Sequence, residues 1–187
     1  MTAQQSLDII TSMIRQTKAN VSKNSFYFLL WGWTIALANI GVYLAIQFEM
    51  FDNPTMIFAV TIPAAIVTAI YGARQGRTAT ASTLLDNINM WLWICFGVTC
   101  FTLVYFGSRI NWQINPIIIT CCAGPTFVTG IMLRFRPLII GGIAFWLFGM
   151  ACFLVSTELQ FLIAAVAVVI GYIVPGHMLR QSEGRHV

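Results

Sequence analysis

The chain has 187 residues, 58% hydrophobic and only 9% charged, with a formal net charge of +4 and a mean hydropathy of +0.81. A soluble domain spends about a quarter of its residues on charge to keep its surface hydrated, so lipid solvates most of this molecule, and one bundle uses up the length. The basic residues fall in pairs and triplets between apolar runs and form no continuous face, which excludes a nucleic-acid partner.

In chain order, residues 1–24 come first as a cytoplasmic amphipathic segment. Leu7, Ile10 and Ile14 recur at helical spacing between 4 and 18, flanked by Ile9 and Met13, with Gln16 and Lys18 on the polar side. That pattern predicts an amphipathic interfacial helix lying where basic residues meet anionic lipid. The first apolar run begins near Ser25, is too long for the apolar core of a signal peptide and lacks a small-residue cleavage site, so it reads as a retained signal-anchor helix.

A helix that crosses the roughly 30 Å hydrocarbon core needs about 20 mostly apolar residues, and it must be a helix because lipid offers backbone groups no partners. Six runs fit: residues 25–47, 55–73, 88–107, 117–133, 138–156 and 160–175. The stretch from Thr78 to Asn89 reads as a second interfacial piece, with Leu84, Leu85 and Ile88 extending the third helix inward. Six crossings place Arg15, Lys18, Lys23, Arg74, Arg77, Arg134, Arg136, Arg180 and Arg185 on one side and only Arg109 on the other, beside Glu49, Asp52 and Glu158. The basic side is the cytoplasmic one, so both termini are expected inside, residues 25–175 form the membrane domain and 176–187 a cytoplasmic tail.

The chain also repeats itself at a shift of 62 residues: Trp31 meets Trp93, Val42 meets Val104, Tyr43 meets Tyr105, Asn53–Pro54 meets Asn115–Pro116, Pro63 meets Pro125 and Arg74 meets Arg136. Spans one–two and three–four read as parallel hairpin units, with a third, diverged hairpin in spans five–six. Each outer Asn-Pro pair predicts an Asn cap followed by Pro in the first helical turn. Pro63 and Pro125 fall near mid-bilayer and predict kinks in spans two and four, the second eased by Gly124. Pro175–Gly176 reads as the end of the last span, with His177 beyond it.

No Asp, Glu, Lys, Arg or His occupies the middle of any span, which disfavours a proton relay or voltage sensor, since those place ionisable groups at depth. Asn39 is the strongest buried polar group, and Thr61, Thr68, Thr99, Thr102, Thr120, Thr126 and Thr129 add hydroxyls. As a pathway or hinge set, Asn39, Pro63, Pro125, Thr61 and Thr126 are the candidates. The plainer expectation is that Asn39 bridges helices while Thr side chains bond their own preceding turn. Ala65, Ala69 and Ala73 form one small-residue stripe, and Ala167 with Gly171 another, which read as helix-packing devices. Trp31, Trp33, Trp91, Trp93 and Tyr27 read as interfacial anchors ahead of a cage for a cationic ligand.

The five cysteines (Cys95, Cys100, Cys121, Cys122 and Cys152) lie within apolar stretches, an odd number without a disulfide pattern. Neither their spacing nor His177 and His186 gives a metal site, no cofactor is implied, and no catalytic motif is present.

The stretch Asn24–Ser25–Phe26–Tyr27–Phe28–Leu29–Leu30–Trp31–Gly32–Trp33, with Pro175–Gly176–His177–Met178–Leu179–Arg180 at the other end, resembles a group of small uncharacterised bacterial multi-pass inner-membrane proteins. The resemblance covers most of the length and implies a bacterial cytoplasmic membrane, but it brings no activity, ligand or partner. The expected fold is all-α, a six-transmembrane-helix bundle built from three helical hairpins after the interfacial helix. The leading expectation for function is a non-enzymatic membrane component acting through self-assembly or a partner protein. The alternative is a small-solute transporter or channel with proline-kinked helices two and four lining a pathway.

Overall fold

The computed structural model describes the backbone of residues 3–78 and 84–184 and the side chains of residues 25–74 and 85–181. Helix α1 runs without a break from Ala3 to Gln47, so the expected boundary between an interfacial helix and the first span is absent from the backbone. The change from polar to apolar composition near Ser25 sets the solvent, not the fold: no Gly or Pro stands between Ala3 and Trp31 to interrupt the helix. The side chains that define the amphipathic face fall outside the described residues.

After α1 come a 3-10 helix, Pro54–Val60, and then α2 (Thr61–Thr78), α3 (Leu84–Tyr105), α4 (Ile114–Met132), α5 (Arg136–Cys152) and α6 (Thr157–Val168). A π turn, Val169–Ile173, joins α6 to α7 (Val174–Gly184). No strand occurs among the described residues. Five segments are long and apolar enough to cross a membrane: Ser25–Gln47, Pro54–Arg74, Leu85–Tyr105, Ile114–Met132 and Thr157–Gln181. Arg136–Cys152 is a sixth apolar helix, of 17 residues.

Two helix ends close in the same way. The N–H of Glu49 bonds Ile46 O and that of Met50 bonds Ala45 O at the end of α1, while Arg134 bonds Ile131 O and Phe135 bonds Gly130 O at the end of α4. Glu49 and Arg134 take the left-handed conformation, with φ of 49° and 52°. This paired pattern satisfies the last carbonyls of a helix and usually employs Gly. Here two charged residues take that position at the ends of apolar helices.

The helices pack in an order that the hairpin repeat does not anticipate. The closest pair is α4 with α5; α1 lies on α6 and α7, α6 on α5, and the peripheral helices α2 and α3 rest on α1 and α4 respectively. Glycines set the α4–α5 contact. A side chain at Gly130, Gly142 or Gly149 would collide with the Ile139, Phe127 or Thr120 backbone at 2.7–2.9 Å. The contact points descend along α4 as they climb α5, so the two helices run antiparallel, side by side, over most of their length. Phe145, Leu138, Val168, Ala164 and Ala123 fill the centre.

Two features of the backbone depart from the sequence pattern. Pro175–Gly176 does not end the last helix, because α7 continues through both to Gly184. In lipid a free backbone is too costly for a helix to stop at a proline, and the π turn just before it accommodates the ring. Nor do the Asn-Pro pairs cap as expected. Asn53 precedes the 3-10 helix with no side-chain cap hydrogen bond, and Asn115 lies inside α4, which begins one residue earlier.

Candidate functional site

Along one face of α4, Asn115, Ile119, Cys122, Thr126 and Thr129 recur at alternating spacings of four and three, the period of a helix seam. Four of the five are polar, and they meet neighbouring helices in three layers, named outer, middle and inner from the N-terminal to the C-terminal end of α4.

In the outer layer the Asn115 amide donates to the Asn39 side-chain oxygen at 3.1 Å and, more weakly, to the Gln160 carbonyl at 3.5 Å. Asn39 is 0% exposed and donates in turn to its own Ile35 carbonyl at 2.8 Å. The Gln160 amide donates to the Gln113 side chain at 3.1 Å. Four amide side chains thus tie α1, α4 and α6 together. At the exposed rim above them Gln47 donates to Glu158 at 3.2 Å.

In the middle layer the Thr126 hydroxyl donates to the Cys122 carbonyl at 2.7 Å and shares a hydrogen bond with the Tyr172 hydroxyl at 3.2 Å. The Tyr172 hydroxyl also meets the Cys122 thiol. Its ring packs against Phe28, Trp93 and Phe145, with centroids 5.4, 6.3 and 4.8 Å away. One residue therefore touches α1, α3, α4 and α5. In the inner layer Thr129 donates to the Asn89 side chain at 2.8 Å and accepts from the Trp93 indole at 3.3 Å.

The remaining hydroxyls behave locally. Thr61, Thr99, Thr102 and Thr120 each donate to a carbonyl three or four residues back. Thr68 instead accepts from the Trp31 indole at 3.0 Å. The indole-to-threonine bond between α1 and α2 thus has a partner in Trp93–Thr129 between α3 and α4. The two tryptophans match in the repeat while the acceptor threonines are offset by one position, and both bonds join spans that the repeat pairs.

The five pathway or hinge candidates do not converge. Asn39 sits in the outer layer and Thr126 in the middle one. Thr61 marks the junction where the 3-10 helix becomes α2, and Pro63 lies two residues further on, in the first turn of α2. Pro125 lies inside α4, which remains α-helical through it. Helix α2 packs on α1 and the 3-10 segment, and α4 on α5, α3 and α6; the two prolines therefore occupy separate parts of the bundle.

The buried polar side-chain atoms all have hydrogen-bond partners among the described residues, and Asn39, Thr126 and Thr129 are sealed within the protein. Such a seam holds helices in register. Sequence reasoning missed Gln113, Asn115, Gln160, Cys122 and Tyr172. The four-three spacing on α4 was the available signal for two of these, Asn115 and Cys122; nothing local pointed to Tyr172. Among the described residues no group of three or more His, Cys, Asp or Glu side chains is placed to hold a metal ion. A shallow apolar depression between α1 and α2 is lined by Phe51, Asn53, Met56 and Ile57.

Asn39→Ala is expected to cost about 1–2 kcal/mol, because it strands the Asn115 amide on one long hydrogen bond. Thr61→Ala, which removes only a local bond, should cost less than about 0.5 kcal/mol. Denaturant titration of the reconstituted protein measures both, and equal effects would refute a bridging role for Asn39.

No protein-family model, curated protein or solved structure matches this chain.

Proposed function

We propose that the chain is a non-enzymatic component of a bacterial cytoplasmic membrane, with six crossings in three hairpins and both ends inside, acting by assembly with itself or with a membrane partner. The observation that carries this reading is the state of α2 and α3. Only 6% of the apolar window of Pro54–Arg74, and 0% of that of Leu85–Tyr105, is buried within the chain, against 61% for Thr157–Gln181. Along α2 the stripe of Ala65, Ala69 and Ala73 is exposed, a surface that lets another helix backbone approach closely. Along α3, Trp91, Ile94, Val98, Phe101 and Tyr105 are all exposed. The bacterial assignment rests on the resemblance of the two terminal motifs. The transporter reading draws less support, because α2 and α4 do not form one pair and the α4 seam is occupied by its own hydrogen bonds.

Subunit counting by photobleaching in liposomes tests the proposal. The expected result is a majority of particles with two or more subunits, persisting on lipid dilution and weakened about tenfold or more by Ala69→Phe. Single subunits at every dilution would refute self-assembly. If those monomers also carried a solute flux altered by Pro63→Ala and Pro125→Ala, the transporter reading would replace it.

A further inference from the structure

The turn Val169–Ile173 is the place among the described residues where the helical backbone widens to π spacing. Its cause lies two residues further on. Proline lacks the N–H that would close an α-helical bond, and its ring collides with the carbonyl four residues back. For Pro175 that carbonyl belongs to Gly171. Widening the turn relieves the collision, as π bulges do within helices.

The surroundings are shaped to receive the wide turn. On one flank stands Gly32 of α1, where a side chain would meet Ile173 Cγ1 at 2.9 Å and Tyr172 Cβ at 3.2 Å. On another stands Gly141 of α5, where it would meet the Gly171 carbonyl oxygen at 2.8 Å and its Cα at 3.1 Å. The Ile173 side chain of the turn seats on Gly32, and the Phe145 ring packs over Gly171; these contacts are apolar and carry no hydrogen-bond direction. The directional contacts come from the Tyr172 hydroxyl, which reaches Cys122 and Thr126 on α4.

We propose that Val169–Ile173 is a latched hinge: α7 swings relative to α6 about this turn, and the Tyr172 hydroxyl, held by Cys122 and Thr126, keeps it in the observed position. Pro175 deletes a hydrogen bond of the helix here and the π turn loosens its neighbours, so bending resistance is lowest at this point. A phenylalanine would fill the same aromatic cluster without carrying a hydroxyl into a dry core; the hydroxyl supplies direction. The moving part is α7, with Pro175, Gly176 and Leu179 packed inward and His177, Met178 and Arg180 exposed. Release of the latch lifts Leu179 from the core and re-aims the exposed three.

Amide hydrogen exchange on the full chain in lipid nanodiscs tests the hinge. Tyr172→Phe is expected to speed exchange about tenfold across Val169–Gly184 while leaving α4 and α5 at the wild-type rate, since local opening reports local stability. Thr126→Val should do the same more weakly. Pro175→Ala restores the missing N–H and is expected to slow the same amides about threefold or more. Unchanged exchange in Tyr172→Phe overturns the proposal, as does a uniform rise over the whole bundle, which marks general destabilisation. Equal or faster exchange in Pro175→Ala also overturns it. Should Pro175→Ala fail to fold, the tyrosine and threonine variants decide.

Discussion

Gly142→Leu is expected to separate α4 from α5 and to cost about 3 kcal/mol or more, enough to remove most folded protein. Even a methyl group at Gly142 would stand 2.7 Å from Phe127 Cβ and 2.8 Å from its backbone nitrogen. Neither atom is the free end of a side chain, so no rotamer change relieves the collision. Gly149, seven residues along and on the same face, is closed by the Thr120 backbone at 2.9 Å. Opening one contact therefore strains the next. Because lipid is as apolar as the helices, there is little hydrophobic drive to hold the pair at a larger spacing, and close dispersion contact is what would be lost. Gly97→Leu provides the control. Nothing lies within 4 Å of a side chain placed there, and its effect should stay within about 0.5 kcal/mol. Denaturant titration, with the monodisperse yield as a second readout, measures the two. Equal stability of the Gly142 and Gly97 variants would mean that the α4–α5 glycine contact does not hold the bundle.

Why the sequence announced the helices but not their partners follows from the solvent. Length and apolar character determine what can cross a bilayer, and both are local properties: the segments Ser25–Gln47 and Leu85–Tyr105 fall close to the expected runs. Polar side chains at depth are also local, so Asn39 stood out from its surroundings. Packing order is different. In water an amphipathic stripe shows which face is covered, but in lipid every face of α3 and α5 can be apolar, and the alphabet no longer distinguishes them. Gly142 and Gly149 were visible at a spacing of seven, yet nothing in α5 named α4 as the helix they admit. The repeat suggested that α1–α2 and α3–α4 would be the tight pairs. It is echoed in the two indole–threonine bonds, while the closest contact joins helices across the repeat boundary.

Proline illustrates the same difficulty. Pro63, Pro125 and Pro175 look alike in an apolar run, but they meet three different backbones: the first turn of α2 after a 3-10 segment, an uninterrupted α-helix, and the end of a π turn. The neighbours decide. Gly32 and Gly141 make room for a widened turn ahead of Pro175, and both belong to helices remote in sequence from it.

Fusion reporters at the two ends are expected to report the same side of the membrane, the cytoplasm, and a reporter placed after Arg109 the opposite side. The result hinges on α5. At 17 residues it falls short of the other spans, about 25 Å at the rise of an α-helix, and if it failed to cross, five spans would leave the termini on opposite faces. Two observations favour crossing. Only Leu133, Arg134 and Phe135 separate α4 from α5, so α5 begins at the depth where α4 ends. From there it runs antiparallel along α4 through the Gly130, Phe127 and Thr120 contacts, which carries it back through the thickness that α4 traverses. The charges agree: six crossings put nine of the ten Lys and Arg residues on one side, with Arg109 alone opposite. Five crossings would export Arg180 and Arg185, against the bias that orients membrane proteins. Moving the hairpin arginines Arg134 and Arg136 to Glu should weaken that bias at its centre and yield a mixed population of orientations. A C-terminal reporter found outside in the unaltered protein would reject six crossings, and with them the assignment of α5 as a span.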